Sequence, residues 1–172
     1  MPTVTLGRTG ITTDKNGFGA LPVQRVSKED AAYLLRKAFD GGITFFDTAR
    51  SYTDSEEKLG YAFEGMRDKL FIATKTPSTT VEGFWKDLET SLRLLKTDYI
   101  DVYQFHNPAF CPKPGDGTGL YEAMEEAKKQ GKIRLSASPT TGWVWRRKRP
   151  LPACTTRCSS PSAIWPPTGT LP

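Results

Sequence analysis

From residue 17 the chain alternates two hydrophobic patterns, with a repeat of about 26 to 30 residues. Short apolar runs, "GFGA" (17–20), "ITFFD" (43–47), "LFIAT" (70–74), "IDVYQF" (100–105) and "KIRL" (132–135), read as strands apolar enough to be buried on both faces. Between them, apolar residues recur every three or four positions. The first such stretch predicts a helix over 28–40, capped by Ser27, with Ala31, Leu34, Leu35 and Ala38 on one face and Gly41-Gly42 as its stop. A second helix begins near Ser55, with Glu56 and Glu57 in its first turn. A third, over 81–95, aligns Phe84, Leu88, Leu92 and Leu95, and a fourth, over 118–130, ends at Gly131. This alternation predicts βαβ units and a parallel sheet. Ahead of it, "VTLGRTGITTDKNG" (4–17) predicts a two-stranded hairpin turning at Arg8 to Gly10.

The polar residues that end the apolar runs bring in chemistry. Asp47 closes the second strand, Lys75 the third and His106 the fourth, while Tyr52 sits in the loop after Asp47. Each alone has an ordinary explanation: an aspartate before Thr-Ala caps a turn, a lysine after a strand is solvated, and a single histidine is usually structural. Together they differ. In a (β/α) barrel the carboxyl ends of all strands share one mouth, so residues spread over sixty positions of sequence would converge there.

The stretches "GGITFFDTARSYTDSEEKLG" (41–60), "FIATKT" (71–76) and "DYIDVYQFHNP" (98–108) resemble the aldo-keto reductases over roughly residues 1–134. That resemblance implies a TIM barrel and NAD(P)H-dependent reduction of aldehyde or ketone carbonyls to alcohols. It matches Asp47, Tyr52, Lys75 and His106 to the family's catalytic tetrad, with Asn107 beside the substrate. It implies NADPH as cofactor, with NADH as the alternative, and the backbone of Gly19, Ala20 and Leu21, together with Asp47, near the nicotinamide. "GFGALP" lacks the third glycine and following helix of a Rossmann fingerprint.

The residue types suit that chemistry. Carbonyl reduction needs a proton for the oxygen that becomes an alkoxide, and Tyr52 is the acid. A phenol's pKa of about 10 is high for that task, and the expectation is that the Lys75 ammonium lowers it while Asp47 holds Lys75 charged and in place. His106, the only histidine in the chain, would orient the carbonyl by donating a hydrogen bond.

Composition divides the chain. Residues 1–135 carry 19 basic and 19 acidic side chains, whereas residues 136–172 carry five basic and none acidic. The tail also holds seven of the 13 prolines and no Phe or Tyr. Two segments are therefore expected: a partial (β/α) barrel over 1–135 and an unstructured tail over 136–172. The tail has the character of an out-of-frame translation, and shifted codons just after Leu135 permit "IGITNH", which resembles the family's fifth strand. The expected fold is a truncated (β/α)8 TIM barrel of about four βα units with the amino-terminal hairpin, inactive in this form. The alternative is a non-catalytic half barrel that self-associates through exposed edges or binds a partner.

The remaining features exclude other classes. Cys154 and Cys158 in "CTTRC" have no second pair or histidine nearby, so no metal site is expected. "WRRKRP" (145–150) lies in the out-of-frame segment, so no nucleic-acid partner is expected. No apolar run reaches membrane-spanning length, and three cysteines suit a reduced, cytoplasmic protein acting on a small carbonyl substrate.

Overall fold

The computed structural model describes residues 2–7, 9–106 and 112–137. Expectations placed on Arg8, Asn107, Cys154, Cys158, the 145–150 stretch and the tail beyond Ala137 lie outside the described residues. Strands β1 (Thr3–Thr5) and β2 (Thr12–Asp14) form the antiparallel hairpin, with Thr3 opposite Asp14. Its turn uses Gly7 and Gly10 at positive φ, and the Thr9 hydroxyl donates to the Leu6 carbonyl at 2.6 Å.

Strands β3 (Phe18–Gly19), β4 (Phe45–Asp47), β5 (Phe71–Thr76), β6 (Ile100–Phe105) and β7 (Ile133–Ala137) lie side by side, parallel and in chain order. Helices α1 (Lys28–Asp40), α2 (Ser55–Ala62), α3 (Val81–Leu95) and α4 (Leu120–Lys129) return the chain between successive strands. Four βα units leading into a fifth parallel strand form part of a (β/α) barrel wall.

Alternation along the strands sorts side chains into two apolar groups. Phe46, Ile72, Tyr103 and Phe105 pack with Leu35, Phe84, Leu88 and Leu120 of the helices. Phe45, Ala73, Val102 and Ala137 face the other side, where Leu6 and Ile11 of the hairpin join them. Asp47, Lys75 and Gln104 share the parity of this second group, so the same face that is apolar lower down becomes polar toward the carboxyl ends.

The helices follow local chemistry. The Ser27 hydroxyl accepts from the Asp30 amide at 3.0 Å to start α1, and Thr80 accepts from Gly83 at 3.2 Å to start α3. Phe84, Leu88, Leu92 and Leu95 bury one face of α3. α2 crosses α3 closely at Gly60, where a Cβ would run into the Leu94 carbonyl.

Four details depart from expectation. Leu34 is 45% exposed and Ala32 is buried instead, because the face of α1 against the sheet centres on Ala31 and Leu35. β3 is only two residues long and passes into a 3-10 turn at Leu21–Arg25, where Pro22 has no N–H to extend a ladder. α4 starts at Leu120 rather than 118, behind a left-handed Gly119. Ser136 and Ala137 continue β7 beyond Leu135, paired with Tyr103 and Gln104, since a ladder needs backbone partners rather than a long apolar run. Among the described residues no helix is long and apolar enough to cross a membrane.

Candidate active site at the strand ends

Three of the predicted residues are carried by the sheet itself. Asp47 ends β4, Lys75 lies one residue from the end of β5, and His106 follows β6 with its amide bonded to the Thr76 carbonyl at 2.7 Å. The loop after β4 extends the ladder, with the Thr48 amide on the Ala73 carbonyl and the Arg50 amide on the Lys75 carbonyl, at 2.8 and 2.9 Å. This lays the loop across Lys75 and delivers Tyr52 to the same mouth.

The Lys75 ammonium donates to both Asp47 carboxylate oxygens, at 2.7 and 2.8 Å, and to the Thr48 carbonyl at 2.8 Å. Its three N–H directions are thus accounted for. It also stands 5.6 Å from the centre of the Tyr52 ring. The rings of Tyr52 and His106 meet edge to face, centroids 5.6 Å apart and planes at 86°. Asp47, Tyr52, Lys75 and His106 are therefore brought together. Of the residues expected near a cofactor, Gly19 is the register partner of Asp47, and a Cβ there would meet nothing within 4 Å. Leu21 is 42% exposed beside it, whereas Ala20 is fully buried, with its amide on the Asp47 carbonyl and its own carbonyl taken by Ser55. Asn107 lies outside the described residues.

The electrostatics differ in one respect from the sequence expectation. Burial, and then the Asp47 charge, push the Tyr52 phenol above its ordinary value. Lys75 does not lower it here; its donors go to Asp47 and Thr48 rather than to the phenol oxygen. Burial raises the Asp47 carboxyl, opposed by Lys75. Burial and then the Lys75 charge hold the His106 imidazole below its usual range, opposed by Asp47. At neutral pH the cluster thus holds a protonated phenol and an uncharged imidazole, both able to donate a hydrogen bond.

The sequence profile of the Aldo/keto reductase family matches residues 8–142. The chain belongs to the aldo/keto reductase family. It is 33% identical over 146 residues to an L-galactose dehydrogenase of Arabidopsis thaliana, an alignment covering 76% of this chain and 46% of that protein. It is 36% identical over 108 residues to the methylglyoxal reductase YeaE of Escherichia coli, covering 58% and 35%. Among solved structures, an aldo-keto reductase from Pseudomonas aeruginosa superposes with a TM-score of 0.71 at 28% identity, covering 80% of this chain and 60% of that one. The holo form of one from Bacillus halodurans gives 0.70 at 29% identity, covering 80% and 50%. The chain spans about half the length of the curated relatives it matches. As an aldo/keto reductase its family match continues to residue 142, past the composition break near Leu135.

Sequence reasoning missed two charged residues in the loop and helix that follow Asp47, Arg50 and Glu56. Glu56 looked like an ordinary acid of a first helical turn, yet its side chain is 1% exposed and ion-paired with Arg50. The available signal was its spacing: Glu56 lies three residues before the buried Leu59 and four before Gly60, on the face of α2 that packs inward.

Proposed function

We propose that these residues are the acid and carbonyl-orienting half of an NAD(P)H-dependent carbonyl reductase, acting on a small aldehyde or ketone. The observation that carries this reading is the convergence, at adjacent strand ends, of the Lys75–Asp47 pair with the edge-to-face Tyr52 and His106 rings. A Cβ on Gly19 would meet nothing within 4 Å and Gly19 is the register partner of Asp47, which supports placing a flat ring against the backbone there. A bound nicotinamide would supply the hydride there.

The chain's own residues supply the rest. His106, kept uncharged, donates an N–H to the carbonyl oxygen and fixes its orientation without competing to protonate it. Tyr52, kept protonated, gives its phenolic proton as that oxygen becomes an alkoxide. The phenolate left behind is the form that a positive charge stabilises. Lys75 answers that need by exchanging its bond to the Thr48 carbonyl for one to the Tyr52 oxygen, and Asp47 keeps it in place throughout.

Relatives with names such as methylglyoxal reductase support a small carbonyl substrate and leave its identity open. Holding a cofactor beside the carbonyl takes contacts beyond Gly19 and Leu21, so we further propose that the 172-residue chain turns over little or no NADPH. A version in which the shifted frame after Leu135 is restored would reduce reactive aldehydes. Following NADPH consumption with both proteins tests this: activity only in the restored chain is expected, and an inactive restored chain overturns the reductase reading. A second reading rests on the sheet edges. Among the described residues β3 and β7 pair on one side only, which favours self-association of the chain and predicts a mass above that of a monomer by sedimentation.

A further inference from the structure

The loop that carries Tyr52 is held by a buried ion pair, and the arrangement is more specific than a stabilising contact. Arg50 lies two residues before Tyr52, and its guanidinium pairs through Nη1 with Oε2 of Glu56, four residues after it. Through Nη2 it reaches the Thr53 carbonyl at 3.4 Å. The other Glu56 oxygen accepts the Thr74 hydroxyl of β5 at 2.6 Å and the Ser91 hydroxyl of α3 at 2.8 Å. Thr74 adjoins Lys75, so one carboxylate ties the Tyr52 loop to the strand bearing the ammonium and to the helix behind it.

The loop needs such a hold. Thr53, immediately after Tyr52, sits at φ 42, a left-handed conformation that a β-branched residue adopts only when its surroundings impose it. Its carbonyl is the one that Arg50 holds. The Thr48 and Ser55 hydroxyls, 2.9 Å apart, close the loop base, and Ser55 in turn donates to the Ala20 carbonyl at 2.9 Å. Neither Arg50 nor Glu56 approaches the reacting groups as a donor or acceptor in the proposed reaction.

We infer that Arg50 and Glu56 are positioning residues, a buried clip that holds the strained 49–55 loop so that the Tyr52 ring meets His106 above Lys75. This rests on the reading of Tyr52 as the acid, but its test does not use activity. His106 is the only histidine, so its ring signals report on the site without ambiguity.

The experiment is NMR on the full chain, comparing the parent with the double variant Arg50→Gln/Glu56→Gln. That variant removes both charges together and leaves a carboxamide oxygen for Thr74 and Ser91. The expected result is loss of the Tyr52–His106 ring contact and an upward shift of the His106 titration midpoint, with amide shifts of β6 and α3 unchanged. An unchanged ring contact and midpoint in the folded double variant would overturn the inference. Should that variant not fold, Arg50→Lys decides. It keeps the charge but not the fork, so the expected outcome is a weakened ring contact with the fold intact, and a parent-like contact overturns the clip. Failure of the reductase reading would show instead as an inactive restored chain whose ring contact is intact.

Discussion

The two ends of the same parallel sheet are built on opposite principles. At the amino ends, Asp101 of β6 is fully buried with both oxygens engaged: Oδ2 accepts from Arg67 at 2.5 Å and from the Ile72 amide at 2.9 Å, and Oδ1 accepts from Arg134 at 3.0 Å. Tyr99 lies between the two guanidiniums, 4.0 Å from that of Arg67 and 4.1 Å from that of Arg134. Arg67 also donates to the Leu70 and Tyr99 carbonyls at 2.9 and 3.1 Å. This is a closed network joining three strands. At the carboxyl ends the Lys75 ammonium serves an aspartate whose carboxyl is raised by burial, beside a phenol that is likewise raised and an imidazole that is lowered. The difference teaches that charge in this fold is arranged in two ways: at the amino ends a buried carboxylate is matched by two guanidiniums and an amide across three strands, and at the carboxyl ends one ion pair sits beside titratable groups whose pKa values burial has shifted.

That contrast can be broken by mutation. The largest effect on stability is expected at the closed end. Asp101→Ala leaves two guanidiniums and the Ile72 amide without their acceptor and should cost about 3–5 kcal/mol in a denaturant titration. A cost below ~1 kcal/mol would mean the network fastens nothing. At the open end Lys75→Met should cost less, about 1–2 kcal/mol at pH 7, because the stranded Asp47 carboxyl, already raised, can take up a proton. Equal losses at the two ends would erase the distinction.

The pH dependence sharpens it. The folded state holds His106 below its ordinary value of 6.5, so between 6.5 and the lowered value the unfolded chain binds the proton more readily. Stability that is present above pH 6.5 should therefore be lost as pH falls through that window, and His106→Gln should flatten the slope in thermal melts taken across it. Asp47 works the other way at lower pH: its raised carboxyl favours the folded state at acid pH, and that contribution fades as pH rises above 3.8 through its folded value. The smallest effect is expected for Arg134→Ala, about 0.5–1 kcal/mol, since that side chain is 55% exposed and water screens its pairing.

How much of this was legible in the sequence follows the range of the interactions. α1 and α3 begin and end where the Ser27 cap and the Phe84–Leu95 spacing place them, because caps and helical periodicity act over a few residues; the Thr80 cap of α3 came only with the structure. The four predicted site residues converge because parallel strands share one end, a rule that needs only strand order. What could not be read was set by partners distant in sequence. Leu34 faces outward because of how α1 meets the sheet, Glu56 is buried because Thr74 and Ser91 come to it, and Lys75 is occupied by Thr48 as well as Asp47. The short β3 shows a milder limit, since Pro22 was visible but the 3-10 turn it opens was not foreseen.

The central claim is that Tyr52 belongs to the reactive end and not to the fastening of the fold, and one comparison tests it most directly. In the frame-restored protein, Tyr52→Phe removes a single hydroxyl from a partly buried ring and should leave the unfolding free energy within about 0.5 kcal/mol of the parent. Turnover of a reactive aldehyde should fall by about 10² or more, the loss expected when a general acid is removed, with NADPH binding unchanged. A Tyr52→Phe protein that turns over at the parent rate, or one that loses its stability instead of its rate, would contradict the account.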